Sequence, residues 1–104
     1  MSEPFVAYVE SSLEDLIPAY LQHRAEDAVK IRDAVAAGDF ETARSVGHGM
    51  KGSGGGYGFD HITAYGARIE QAAVAGEADT VLEAVELLEQ YLSSVEIVYV
   101  DDEE

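Results

Sequence analysis

Seven of the twelve positions from 47 to 58 are glycine: Gly47, Gly49, Gly52, Gly54, Gly55, Gly56 and Gly58. The run encloses one histidine, His48, and one lysine, Lys51. Glycine beside a cation suggests contact with phosphate, and two phosphate-cradling patterns can be tested against it. Gly47-His48-Gly49-Met50-Lys51-Gly52 fits G-x-G-x-x-G in form. That pattern holds a dinucleotide only where it follows a strand and opens the helix of a βαβ unit. Here the preceding residues, Phe40 to Val46, carry a helical pattern, and no parallel βαβ sheet is in prospect. The P-loop requires Gly-Lys-Ser/Thr in that order, whereas this chain reads Lys51-Gly52-Ser53.

A different chemistry emerges if a helix runs on through the glycines. At about 100° per residue, Phe40, Ala43, Val46, Gly47 and Met50 share one face. His48 then points roughly 150° away from that face, toward solvent. Its neighbours on the outer side are Arg44, Lys51, Gly52 and Gly55. An exposed neutral imidazole is a good nucleophile near neutral pH and can accept a phosphoryl group. Lys51, and with it Arg44, can offset charge spread over the phosphoryl oxygens. Gly52 and Gly55 leave clearance for the incoming group. Glycine inside a helix is destabilising by about 0.5–1 kcal/mol relative to alanine. A run of them therefore argues that close approach matters here. Ser53 is read as an ordinary helix serine.

The elements that must position His48 are legible from periodicity. Leu13, Leu16, Ile17, Tyr20, Leu21, Ala28, Ile31, Ala34 and Val35 follow the spacing of one helix face. Ser12 with Asp15 suggests a capping box. Pro18 predicts a kink, or a short first helix feeding a longer one. Gly38 is a stop signal and Asp39 the next N-cap, so the second helix begins at Phe40. A third helix follows Gly58, with Asp60 as N-cap, a stripe of Ile62, Tyr65, Ile69, Ala72 and Ala73, and Gly76 at its end. The fourth spans about 79–94, with Val81, Ala84, Val85, Leu88, Leu92 and Val95 inward. Four amphipathic helices on short turns predict an all-α, up-down-up-down four-helix bundle. The β-prone tails, Phe5 to Val9 and Glu96 to Val100, emerge at the same end and could pair as an antiparallel two-stranded ribbon. The expected organisation is a single domain over 1–104, with the bundle at about 13–95 and tails at 1–12 and 96–104.

Composition narrows the function. The chain has 104 residues, no cysteine and a formal net charge of -15. Six basic residues cannot build the cationic face that nucleic acid or an anionic membrane needs. No apolar run approaches a membrane span, and the N-terminus lacks the basic and apolar regions of a signal peptide. A cytoplasmic protein is expected. His23 and His61 show no ligand spacing with His48 and are read as surface residues, so neither a metal nor a cofactor is expected. The acids from Asp101 to Glu104 are read as a solvated end.

The segment His48-Gly49-Met50-Lys51-Gly52, followed by Gly58, resembles the signature of the histidine phosphotransfer family: a helical H-x-x-K-G with a glycine some residues later. The stretch from His48 to Phe59 resembles a glycine-rich branch of that family, and the helical pattern from about Leu13 to Ser94 matches its bundle. The resemblance implies that His48 carries the phosphoryl group, Lys51 assists through charge, Gly52 supplies clearance and Gly58 permits a tight turn. It implies a phosphohistidine carrier of bacterial two-component phosphorelays, without autonomous catalysis. Its implied partners are receiver domains of response regulators or hybrid histidine kinases, which bring their own magnesium site. The sequence departs from common members at Gly54, Gly55 and Gly56, where helix-favouring small residues are more usual.

Further residues complete the expected site. Tyr57 and Phe59 are read as core or turn packing, or alternatively as an apolar docking rim. Arg68 could add positive potential. Arg24, Asp27 and Glu70 lie where a partly buried ion pair could form. The competing function is an interaction module that binds a receiver or kinase without exchange; a ligand-binding bundle is a third, but the predicted core holds no polar constellation. A single exposed histidine can work in a monomer.

Overall fold

The computed structural model describes residues 5–101. The element order is β1 (Val6–Glu10), a 3-10 segment (Ser11–Leu16), α1 (Ile17–Ala36), α2 (Phe40–Gly54), a 3-10 turn (Gly55–Tyr57), α3 (Asp60–Val74), α4 (Ala78–Ser94) and β2 (Glu96–Val100). Residues 1–4 and 102–104, and with them most of the acidic end, lie outside the described residues.

The helices pack as an antiparallel bundle. Early α1 meets late α2 at Tyr20 and Ser53, and late α1 meets α4 at Arg32 and Glu89. Across α2 and α3 the same sense shows in Gly54 against Thr63 and Gly47 against Ile69. The predicted stripes supply the core: Ile31, Ala43, Met50, Ile62, Ile69, Val81, Val85 and Leu88 are buried. Turns fall where glycine can take positive φ, at Gly38 (φ 74°) and Gly76 (φ 70°). Asp39 caps α2 by accepting from the Thr42 backbone N–H at 3.1 Å.

Three local expectations need correction. The Ser12–Asp15 capping box does not form; Glu10 precedes the 3-10 segment and no side chain caps it. In that segment the repeat tightens toward three residues per turn, so Leu16 swings out and is exposed. At Pro18 the second alternative holds: a short 3-10 helix feeds the longer α1, and Pro18 sits in the first turn of α1, where its missing N–H has no intrahelical partner to lose. At α3 the cap position is Phe59, with Asp60 the first helical residue.

The tails do form a two-stranded sheet, but a parallel one, with Val6 opposite Glu96 and Glu10 opposite Val100. The antiparallel expectation assumed that β1 leads straight into α1. Instead the 3-10 segment reverses the chain between them, so β1 runs in the same direction as the strand leaving α4. Ala7 and Val9 face the bundle and are buried.

Candidate functional site

The site is built where α2 and α3 come closest. A Cβ on Gly66 would lie 2.5 Å from the Lys51 backbone nitrogen and 2.7 Å from the Gly47 carbonyl oxygen. A Cβ on Gly54 would lie 2.7 Å from the Thr63 nitrogen. Real Cβ atoms do not tolerate such distances, so these glycines set the helix separation. The glycine run therefore divides by role. Gly47 and Gly54 face α3 and let it approach. Gly49, Gly52 and Gly56 have nothing within 4 Å of a Cβ position and border open space.

His48 stands on the outer face of α2, its side chain 64% exposed. The close approach of α3 brings Glu70 beside it. His48 Nδ1 lies 3.0 Å from Glu70 Oε2, and Lys51 Nζ lies 2.9 Å from Glu70 Oε1. The Lys51 ammonium holds the Glu70 carboxyl below the usual carboxylate range; partial burial opposes this and the His48 ring adds to the lowering. An ionised carboxylate only accepts hydrogen bonds. Nδ1 therefore carries the ring proton and donates to Glu70, which leaves Nε2 with a free lone pair.

The expected neighbours distribute differently from the helical-wheel reading. Gly52 has nothing within 4 Å of a Cβ position. Gly55 instead donates its N–H to Thr63 Oγ1 at 2.8 Å and belongs to the end of α2 rather than to the clearance. Gly58 takes the left-handed conformation at φ 94°, and a Cβ there would lie 2.6 Å from the Tyr8 carbonyl oxygen. Arg44 is drawn to Glu41, 2.5 Å away, rather than left free beside the imidazole. Arg68 leans 3.7 Å from Glu83 on α4, away from the α2–α3 seam.

Phe59 is fully buried and offers no docking surface. Tyr57 is half-buried, its ring 4.5 Å from that of Tyr20. Arg24 does pair with Asp27, at 2.9 Å, but Glu70 is not its partner. Arg24 also donates to Ser53 Oγ at 3.3 Å and lies over the Tyr20 ring, and Tyr20 shares a hydrogen bond with the same hydroxyl at 3.0 Å. Ser53 thus ties the glycine-rich end of α2 to α1, a role that its reading as an ordinary helix serine missed. His23 and His61 are exposed, and His61 stacks on Tyr91. Among the described residues no group of three or more His, Cys, Asp or Glu side chains is arranged to hold a metal ion, and no helix is long and apolar enough to cross a membrane.

Two functional residues escaped the sequence reading, Glu70 in this role and Gly66. Glu70 lies 22 residues from His48, and only the register of α3 against α2 joins them. The available signal was the pair itself: a small residue one turn before an acid on an inward-leaning face.

No curated protein and no solved structure gives a match to this chain. The family model for the Hpt domain matches residues 15–97, a span that takes in all four helices. The chain therefore belongs to the Hpt domain family, the phosphotransfer domains of multistep phosphorelays, which carry phosphoryl groups in exchange with receiver domains and are not autonomous enzymes.

Proposed function

We propose that His48 is the phosphoacceptor and that Nε2 is the attacking atom. The observation that carries this reading is the Nδ1–Glu70 hydrogen bond on an otherwise exposed ring, which leaves the other nitrogen free. The Nε2 lone pair attacks the phosphorus of a receiver's aspartyl phosphate in line. The bond from phosphorus to the aspartate oxygen breaks, and the receiver's carboxylate leaves with the electron pair. The ring becomes cationic as the new P–N bond forms, and the Glu70 carboxylate stabilises the Nδ1–H that shares this charge. Lys51, close enough to reach the phosphoryl oxygens, offsets their charge. Donation to another receiver is the reverse. The magnesium ion this chemistry uses belongs to the receiver.

Gly52 supplies the clearance on this reading, and Gly49 shares it. Arg44 acts at a distance through its field, since its guanidinium is engaged with Glu41. Half-buried Tyr57 can border the docking face; Gly55 and Gly58 shape the end of α2 and Arg68 lies apart. The partners are receiver domains of response regulators or hybrid histidine kinases. The protein works as a cytoplasmic monomer in a bacterial two-component pathway, and the glycines from Gly47 to Gly58 support placing it in a glycine-rich branch of the family.

The test is phosphoryl transfer from a phosphorylated receiver, read as acid-labile label on this chain. The label is expected with the native protein and lost with His48→Gln. Label persisting in that variant moves the site elsewhere; absence of label with receivers that serve other Hpt domains overturns exchange as the function.

A further inference from the structure

The parallel sheet at the end of the bundle has two outer edges, and they are not equivalent. The Glu96 N–H donates to the Phe5 carbonyl at 2.8 Å, which fixes the ladder: Glu96, Val98 and Val100 turn their backbone groups toward β1. Ile97 and Tyr99 then turn theirs outward. Among the described residues no hydrogen bond reaches those N–H and C=O groups. On the other strand the outward carbonyl of Tyr8 abuts Gly58, where a Cβ would lie 2.6 Å from it. The turn at Gly58 thus shields the β1 edge, and among the described residues nothing pairs with the β2 edge.

The same strands present an outer face on which Val6, Tyr8, Val98 and Val100 are exposed beside Glu10 and Glu96. Parallel sheets are normally covered on both faces, and a lone two-stranded pair is marginal. An unpaired edge beside exposed apolar side chains is the arrangement to which an extended segment adds as a further strand.

Charge selects the occupant. The chain has no Lys or Arg before Arg24 or after Arg68. Both strands and their flanks therefore carry acids alone: Glu10, Glu14, Asp15, Glu96 and Asp101. A second copy would bring the same acids and a further net charge of -15 to this edge. We propose that the free edge of β2 accepts an extended, basic segment of a partner protein as a third strand. Its backbone pairs with Ile97 and Tyr99, its apolar residues extend the Val98 face, and its cations meet the surrounding carboxylates. This edge belongs to β2 and serves to hold a partner, independently of what His48 does.

The experiment titrates the full chain with an acetylated, amidated peptide of alternating Lys and Val, seven residues long. A control of equal charge has Pro in place of Val and lacks the donors a ladder needs. Expected are slowed amide hydrogen exchange at Ile97 and Tyr99, and binding at least about tenfold tighter than for the proline peptide. Equal binding of the two peptides, or no protection at those amides, overturns the proposal. So does protection that grows with protein concentration alone, which would assign the edge to a second copy.

Discussion

Two alanine substitutions among the glycines of α2 and α3 should act in opposite directions on stability. At Gly52 the position is an exposed helix interior with nothing within 4 Å of a Cβ. Gly52→Ala removes backbone freedom from the unfolded chain and meets no neighbour, so it should stabilise the fold by about 0.5–1 kcal/mol. For a domain of this size that raises Tm by roughly 2–8 °C. Gly66→Ala has the same propensity gain available, yet its Cβ would lie 2.5 Å from the Lys51 nitrogen and 2.7 Å from the Gly47 oxygen. Those are backbone atoms of the facing helix, which no rotamer change can move aside. Relief requires α2 and α3 to separate, and overpacking of that kind destabilises by about 1–3 kcal/mol, enough to reverse the sign. Transfer should fall in both variants for different reasons. The methyl at position 52 narrows the approach to Nε2, whereas separation of the helices draws Glu70 away from Nδ1. Thermal unfolding by far-UV circular dichroism, paired with single-turnover transfer from a phosphorylated receiver, reads both effects. If Gly52→Ala lowers Tm, or Gly66→Ala leaves it unchanged or higher, the division of the glycines into clearance and packing is wrong.

Glu70→Gln preserves shape but removes the charge shared by His48 and Lys51; transfer should slow on the order of tenfold with an unchanged dichroism spectrum. Lys51→Ala should likewise slow transfer while the helical signal stays normal, and unfolding of that variant would make Lys51 structural. Arg24→Leu deserts a partly buried Asp27 and frees Ser53, so denaturant titration should show a loss of roughly 1–3 kcal/mol; unchanged or higher stability would make the pair dispensable. Acid should weaken the fold through the carboxyls whose folded pKa lies below the usual range, Glu70, Glu89, Glu41 and Asp39. In that window the unfolded chain binds more protons, so the contribution of these groups is full above about pH 4.5 and is lost as pH falls through their folded values. The slope of unfolding free energy against pH should be shallower in Glu70→Gln.

Much of this was written in one-dimensional pattern. The stripes of α1 to α4 specify their own buried faces, and Gly38, Asp39 and Gly76 punctuate the chain through local backbone chemistry that needs no tertiary information. His48 was placed outward by helical phase alone. What escaped depends on register between helices. Nothing near Glu70 in sequence says that its two oxygens meet His48 and Lys51, and Arg24 looked an equally good partner. Gly66 lacks the conspicuous company of the α2 run, yet it is the tighter contact. Arg44 and Arg68 were expected to lend charge to the site, but each reaches an acid on its own side of the bundle first. The sense of the terminal sheet turned on a six-residue 3-10 segment whose apolar residues mimic the start of a helix.

The pairing of the cations changes how a phosphoryl group can be received. Five of the six basic side chains, Arg24, Arg32, Arg44, Lys51 and Arg68, already face a carboxylate. In a chain of net charge -15 there is then no standing positive patch at His48 to attract a dianionic group. On the proposed mechanism the needed charge comes from exchange: Lys51 leaves Glu70 Oε1 for the phosphoryl oxygens, while Glu70 Oε2 keeps the Nδ1–H. A glutamine at 70 could accept from the ring but would hold Lys51 less strongly. Its amide could also flip and set an N–H against Nδ1, which would favour the tautomer with the proton on the attacking nitrogen. A carboxylate offers no donor, so it enforces one tautomer, and it releases the ammonium only to a stronger anion. On that mechanism the arrangement keeps the site locally neutral until a phosphoryl group is present, and makes the positive charge available at the step that needs it.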